Sequence, residues 1–207
     1  MKQIVLAKGM FLKNKIKIFY LLIIIIFSVS YNANSETNDK VKIIDHLDSL
    51  ENFSASFLQN DGINLSEGKV YIGKKRVRAE YLSPTNILII LAENKAMYYN
   101  YELEEDEFFD PKNTNAWVFY DIFRNPLFFS DAEIRLRDEE LILEKNSFDG
   151  EDKEYLIRVY FENNPIVLRK LEISSNEDFL ELSIYDHNYN ETFHKDFFKL
   201  INPKFFN

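Results

Sequence analysis

From Phe53 to Tyr101, apolar and polar residues trade places at nearly every step, in short runs divided by brief turn sequences. That period of two commits this part of the chain to half-buried β-strands joined as hairpins. Phe53, Ala55 and Phe57 alternate with Ser54 and Ser56, and Leu58 breaks the polar series. Asp61-Gly62 opens a turn, after which Gly68, Val70 and Ile72 alternate with Lys69 and Tyr71. Val77, Ala79 and Tyr81 alternate with Arg76, Arg78 and Glu80 until Ser83-Pro84 stops the run. Residues 86–92 form a continuous apolar strand, and Glu93-Asn94 makes a tight connection to 95–101. Strand patterns resume at 133–136, 140–144, 155–161, 168–173 and 179–185, with a weaker signal at 191–193, and 195–200 reads as a last strand or a short turn. The expected fold class is mainly β, with about ten or eleven antiparallel strands and two or three short helices. A sheet that wide has to curl or split in two.

Two segments depart from this period. Val41, Ile44, Leu47 and Leu50 fall three apart, one face of a helix that Asn38 or Asp39 caps. Between Asp110 and Asp131 the sheet pattern is interrupted: Pro111 ends a strand, Asn113-Thr114-Asn115 offers caps, and Pro126 stops the apolar run 116–125. On a helix, Trp117, Tyr120, Phe123 and Arg124 share one face, and Val118, Phe119 and Ile122 another. A helix apolar most of the way round must be covered on both sides.

The first 35 residues read as a signal peptide. Lys13, Lys15 and Lys17 precede the apolar run 18–27, which is short against the roughly 20 residues a membrane-spanning helix needs. Ala33-Asn34-Ser35 then offers a small-x-small cleavage pattern, leaving Glu36 at the start of a mature domain, 36–207. This segment carries five lysines and no acid. The mature chain therefore keeps 20 of the 25 basic groups against 34 acidic ones, a net charge near −14. Such a surface repels nucleic acid and anionic headgroups, and it favours a dispersed monomer. There is no cysteine, which rules out disulfides, thiol catalysis and a lipid anchor on an N-terminal cysteine.

Catalytic patterns are missing as well. His46, His187 and His194 are too few and too scattered for a metal site. The acidic runs 104–107 and 138–140 read as solvated edges rather than as a pair of carboxylates held across a cleft. No phosphate-binding glycine loop, nucleophile elbow or zinc-protease motif occurs, and five glycines in the chain leave little for nucleotide loops. The expectation is a non-enzymatic protein without cofactor or metal. What remains is an excess of 19 Phe and 12 Tyr. They make either an ordinary filled core or a core left partly open, and the apolar insertion at 116–129 favours a lid over a cavity.

Several of these segments also carry a family likeness. Phe53-Ser54-Ala55-Ser56-Phe57-Leu58-Gln59 resembles the first-strand motif of the LolA family of periplasmic outer-membrane lipoprotein carriers. The similarity continues through Gly68-Lys69-Val70-Tyr71-Ile72 and Arg78-Ala79-Glu80-Tyr81-Leu82-Ser83-Pro84. It runs on through Leu88-Ile89-Ile90 and Met97-Tyr98-Tyr99-Asn100, spanning roughly residues 40–130. The resemblance implies an incomplete, curved antiparallel half-barrel whose short helices form a lid over a concave apolar face. It also implies a triacylated lipoprotein cargo, received from an inner-membrane LolCDE-type ABC transporter and handed across the periplasm to a LolB-type outer-membrane receptor.

Alternation supplies the inward set for that reading: Phe57, Val70, Ile72, Val77, Ala79, Tyr81, Ile89, Met97 and Tyr99 as the acyl-chain cavity. Trp117, Tyr120 and Phe123 are then the lid. A one-residue slip of register would invert the set. The family's lid-holding Arg-Pro pair falls on Gly73 and Lys74, leaving Lys74, with Lys75 or Arg76 beside it, as the candidate latch. Glu93-Asn94 replaces the family's Asp-Gly turn. Two other functions fit such a chain: a lipid or lipoprotein sensor on the same half-barrel, and an exported structural β-module with a filled core.

Overall fold

A computed structural model describes residues 38–125, 127–148 and 153–206; the signal-like segment and its cleavage pattern lie outside the described residues. Helix α1 spans 38–49. Then come β1 (Phe53–Asn60), β2 (Leu65–Ile72), β3 (Val77–Ser83), β4 (Ile87–Ala92), β5 (Lys95–Asn100) and β6 (Glu105–Phe109). A short 3-10 turn, Pro111–Asn113, leads into helix α2 (Ala116–Arg124). Five more strands follow, β7 (Glu133–Arg137), β8 (Glu140–Phe148), β9 (Glu154–Asn163), β10 (Ile166–Ser174) and β11 (Phe179–Asn188), and then a non-strand segment that includes a second 3-10 turn, Pro203–Phe206.

All eleven strands belong to one antiparallel sheet, in the order β6-β5-β4-β3-β2-β1-β11-β10-β9-β8-β7. Every pairing but one joins strands consecutive in sequence, as hairpins dictate; the exception is β1 with β11, which pair across the chain and join the two halves. β6 and β7 are the two edges, so the sheet is open. It is also curved. One hydrophobic cluster takes in Val77 and Leu91 from one half, Leu143 and Val159 from the other, and Val118 and Ile122 of α2 between them. Residues so far apart in the strand order meet only if the sheet bends around them.

Alternation accounts for the faces. On β1, Phe53, Ala55 and Phe57 are buried inward, and on β9 so are Tyr155, Ile157, Val159 and Phe161. The outward positions of β8 to β11 carry a ladder of cross-strand charges. Arg158 donates to Glu144 at 2.7 Å and to Glu172 at 2.8 Å, and Lys170 reaches Glu181 at 3.2 Å. Cross-strand pairs of this kind stabilise a solvated sheet face. Gly68 is required by packing: the Glu80 carbonyl oxygen lies 2.2 Å, and the Phe57 ring 2.6 Å, from where a β-carbon would stand.

Two sequence expectations change. Along α1 and the residue after it the buried stripe is Ile43, Leu47 and Leu50, while Val41 is 51% exposed. Spacings of four and three fit the helical period as well as three and three do, and Ile43 takes the inward place expected of Val41. The acidic run 104–107 is a solvated edge, as its composition implies: Glu105, Asp106 and Glu107 begin the edge strand β6 and all face water. Charge there guards an unpaired edge against pairing with another chain.

Finally, 191–193 is not a strand, and of the two forms open to 195–200 the chain takes the turn, at 195–198. The segment beyond β11 crosses the outer face of the N-terminal half instead. Phe193 and Phe197 pack on Tyr71, with ring centroids 6.1 and 5.0 Å away. Arg76 donates to the Phe198 carbonyl, and Arg78 to that of Phe197 at 2.6 Å. Leu200 packs against Leu88, Ile90, Met97 and Tyr99. Asn202 donates to Asp106 at 2.7 Å, and Lys204 pairs with Glu104. Arginine side chains thus satisfy carbonyls that a strand would have given to a ladder.

Candidate functional site

The concave face and α2 enclose a cavity of about 110 Å³. Along β3 it is lined by Val77, Ala79 and Tyr81, and on β4 by Ile89 and Leu91. Phe57 and Val70 complete the N-terminal half of the wall, and Leu171, Leu182 and Ile184 come from β10 and β11. Ala116, Phe119 and Phe123 close it from α2. These helix positions, three and four apart, are one face of the helix. Twelve of the thirteen lining side chains are hydrocarbon; the exception is Tyr81.

Six of the nine cavity positions expected from alternation line this space: Phe57, Val70, Val77, Ala79, Tyr81 and Ile89. Ile72 is fully buried in the same cluster without lining the cavity. Met97 and Tyr99 lie elsewhere, in a separate cluster with Leu88 and Ile90. The β4–β5 hairpin pairs Ile89 with Tyr98 and Ile90 with Met97. Directly opposed residues point the same way. With Ile89 inward, Met97 and Tyr99 must therefore face out, and Ala96 and Tyr98 turn in. The two-residue turn Glu93-Asn94 already implies that pairing, so the signal is present in the sequence.

The lid residues divide in a similar way. Phe123 reaches the cavity, whereas Trp117 and Tyr120 lie on the far side of α2. There they line an outer groove of about 560 Å³, with Glu93, Pro111, Lys112 and Asp121. The Trp117 ring meets Phe128 edge to face at 6.0 Å, and its Nε1 is buried without a hydrogen-bond partner among the described residues. Phe119, expected on the opposite face from the lid set, is the central cavity contact. Both sides of the helix are covered, as its composition requires.

α2 starts with modest capping, Thr114 Oγ1 accepting from the Ala116 amide at 3.3 Å, and is fastened mainly at its other end. Arg124 donates to the carbonyls of Gly73 at 3.1 Å and Lys74 at 3.4 Å through Nη1, and to that of Leu50 at 3.0 Å through Nη2. One side chain thus ties α2 both to the β2–β3 turn and to the residue after α1. Burial holds the Arg124 guanidinium below its ordinary pKa, with Glu51 and Asp48 opposing that shift. Lys74 contributes only its carbonyl to this contact, and its side chain is exposed.

No family model matches the chain, and no curated protein matches it. Among solved structures it is similar to an uncharacterized conserved protein from Thermus thermophilus, with a TM-score of 0.47 and 11% identity over 75% of this chain and 90% of that one. It is similar also to the Pseudomonas aeruginosa MucA/MucB complex structure, with a TM-score of 0.46 and 10% identity over 78% and 59%. For LprF from Mycobacterium bovis the TM-score is 0.41, with 7% identity over 74% and 93%. At these values the functional reading rests on the cavity itself.

Its chemistry is that of burial. Among the described residues no group of His, Asp and Glu is placed to hold a metal. His46 and His187 sit in an aromatic cluster with Phe53, Phe161 and Tyr189, where His187 Nε2 lies 2.6 Å from the Leu168 carbonyl.

Proposed function

We propose that this chain binds acyl chains between its concave face and α2, and that it carries lipidated cargo through the periplasm. The observation that carries the reading is the cavity: a hydrocarbon-lined space between a sheet and one short helix, whose C-terminal end is tied to main-chain carbonyls by a single arginine. Each methylene moved out of water is worth about 0.8 kcal/mol, so an acyl chain cannot cross an aqueous compartment unaccompanied. Pockets for larger ligands measure about 300–1,000 Å³. A cavity of about 110 Å³ is therefore a closed state, and α2 moves outward to admit a chain.

In the closed state Phe119 and Phe123 cover the apolar wall; in the loaded state acyl carbons replace them. Net affinity is the small difference between these two burials, which suits release to an acceptor without ATP at the carrier. The signal-like N-terminus and the resemblance of residues 40–130 to LolA carriers support the finer reading. In it the cargo is a triacylated lipoprotein, the donor a LolCDE-type transporter and the acceptor a LolB-type receptor.

Displacement of a dansyl-labelled fatty acid from the mature chain, followed by mixing of loaded protein with a LolB-type acceptor, tests both levels. Binding with transfer supports the carrier. Binding with retention favours a sensor, and absence of binding leaves a structural module with a filled core.

A further inference from the structure

Tyr81 is the single polar side chain in the cavity wall, and it stands at one end. The wall runs along β3 through Tyr81, Ala79 and Val77, about 13 Å at roughly 3.3 Å per residue. Beyond Tyr81 lie the tips of the β1–β2 and β3–β4 hairpins. Beyond Val77 lies the Gly73–Arg76 turn to which Arg124 fastens α2.

The Tyr81 hydroxyl donates to Gln59 Oε1 at 2.7 Å, and its ring is fixed edge-on against Phe57 at 5.1 Å. Gln59 follows Phe53, Ala55 and Phe57 on the inward side of β1. It stands opposite Leu182, which itself lines the cavity. With Oε1 accepting from the tyrosine, the Gln59 amide is oriented, and Nε2 is the donor group it presents on the other side. Burial pushes the Tyr81 phenol up to about 12, so it keeps its proton at neutral pH and remains a donor.

A pure hydrocarbon gives such a pair nothing to bind. An acyl chain always begins at a carbonyl. We infer that Gln59 and Tyr81 form a head-group station that receives the ester or amide carbonyl at the root of an acyl chain. The tail then runs along β3 towards Phe123 and the tethered end of α2. Gln59 Nε2 supplies the donor, and Tyr81 holds the amide in the orientation that presents it. A few placed polar groups in an apolar pocket fix the direction of a ligand, and here they fix which end of an amphiphile leaves first. The inference rests on the acyl-binding reading and adds polarity to it.

The test uses the mature chain and two competitors of equal length against a dansyl-labelled fatty acid: monomyristoylglycerol, an ester, and its tetradecyl ether, which has no carbonyl. The expected result is about a tenfold preference for the ester, the worth of one hydrogen bond. In Gln59→Leu, and separately in Tyr81→Phe, that preference falls towards one. Tyr81→Phe keeps the ring and its packing, and Gln59→Met serves as a second replacement of matched length. Equal binding of ester and ether by the native chain overturns the inference, as does a preference that survives in the variants. If neither competitor displaces the probe, the acyl-binding reading itself fails.

Discussion

The guanidinium of Arg124 donates to the Gly73 carbonyl at 3.1 Å, joining positions 51 residues apart. Gly73 is where the resemblance to LolA carriers would place a lid-holding arginine. That side chain has no room here, because the Phe198 ring lies 2.6 Å from where a β-carbon on Gly73 would stand. The tie between helix and turn is nevertheless present, made from the helix side. The arginine sits on α2, and the turn supplies the acceptors.

Loss of this tie should loosen α2 while the sheet stays folded. Arg124→Ala removes a charged donor from three carbonyls, and a charged hydrogen bond is worth about 1.5–3 kcal/mol. Stopped-flow uptake of a dansyl-labelled fatty acid should become several-fold faster in the variant. Arg124→Lys, which lacks the planar fork, should fall between the two. Unchanged uptake in both variants would mean that α2 does not gate the cavity.

Gly73→Ala should destabilise the protein by about 1–3 kcal/mol, the usual cost of forcing a carbon into a packed site. Denaturant titration of Gly73→Ala, Phe198→Ala and the double variant should show coupling. The double variant should lose less than the sum of the singles, because removing the ring opens the space the methyl needs. Strict additivity would place the two residues out of contact.

Filling the cavity should separate binding from stability. Leu182→Phe adds bulk to a wall that faces open space. The melting temperature should hold or rise, and affinity for an acyl probe should fall at least tenfold, about 1.4 kcal/mol. Met97→Leu, on the outer face, conserves volume and should leave acyl binding as it is, at a cost below about 1.5 kcal/mol in stability. The reverse pattern would put the ligand on the outer face.

His46 sets a pH dependence. Burial, and then the charge of His187, hold its pKa below the ordinary imidazole value, and its Nε2 is buried without a hydrogen-bond partner among the described residues. The unfolded chain takes up this proton near pH 6.5, where the folded one resists it. Stability is therefore lost as pH falls below about 6.5 towards the folded value. His46→Leu should remove that loss, so that its advantage over the native chain in urea titrations grows from pH 7.5 to pH 5. A constant difference across that range would rule the histidine out.

The strands and their inward faces were legible because alternation is local. Phe57, Val70, Val77, Ala79, Tyr81 and Ile89 needed only a period of two and a start point. Alternation within β5 has no start point of its own, so by itself it does not show that Met97 and Tyr99 lie on the outer face. The two-residue turn at Glu93-Asn94 ties its parity to β4.

The sequence by itself therefore determined an open-ended series of antiparallel hairpins, an apolar side to each strand and one apolar helix between the halves. Tertiary structure alone decided that β1 meets β11, which brings Leu171, Leu182 and Ile184 into the cavity wall. It also decided that Phe119 rather than Trp117 faces that cavity, and that Arg124 does the fastening. These contacts join segments tens of residues apart, and their geometry comes from the bend of the whole sheet. Local spacing carries no information about that bend. A helix greasy all round offers several faces of similar hydrophobicity, and only the surfaces that close over it choose among them.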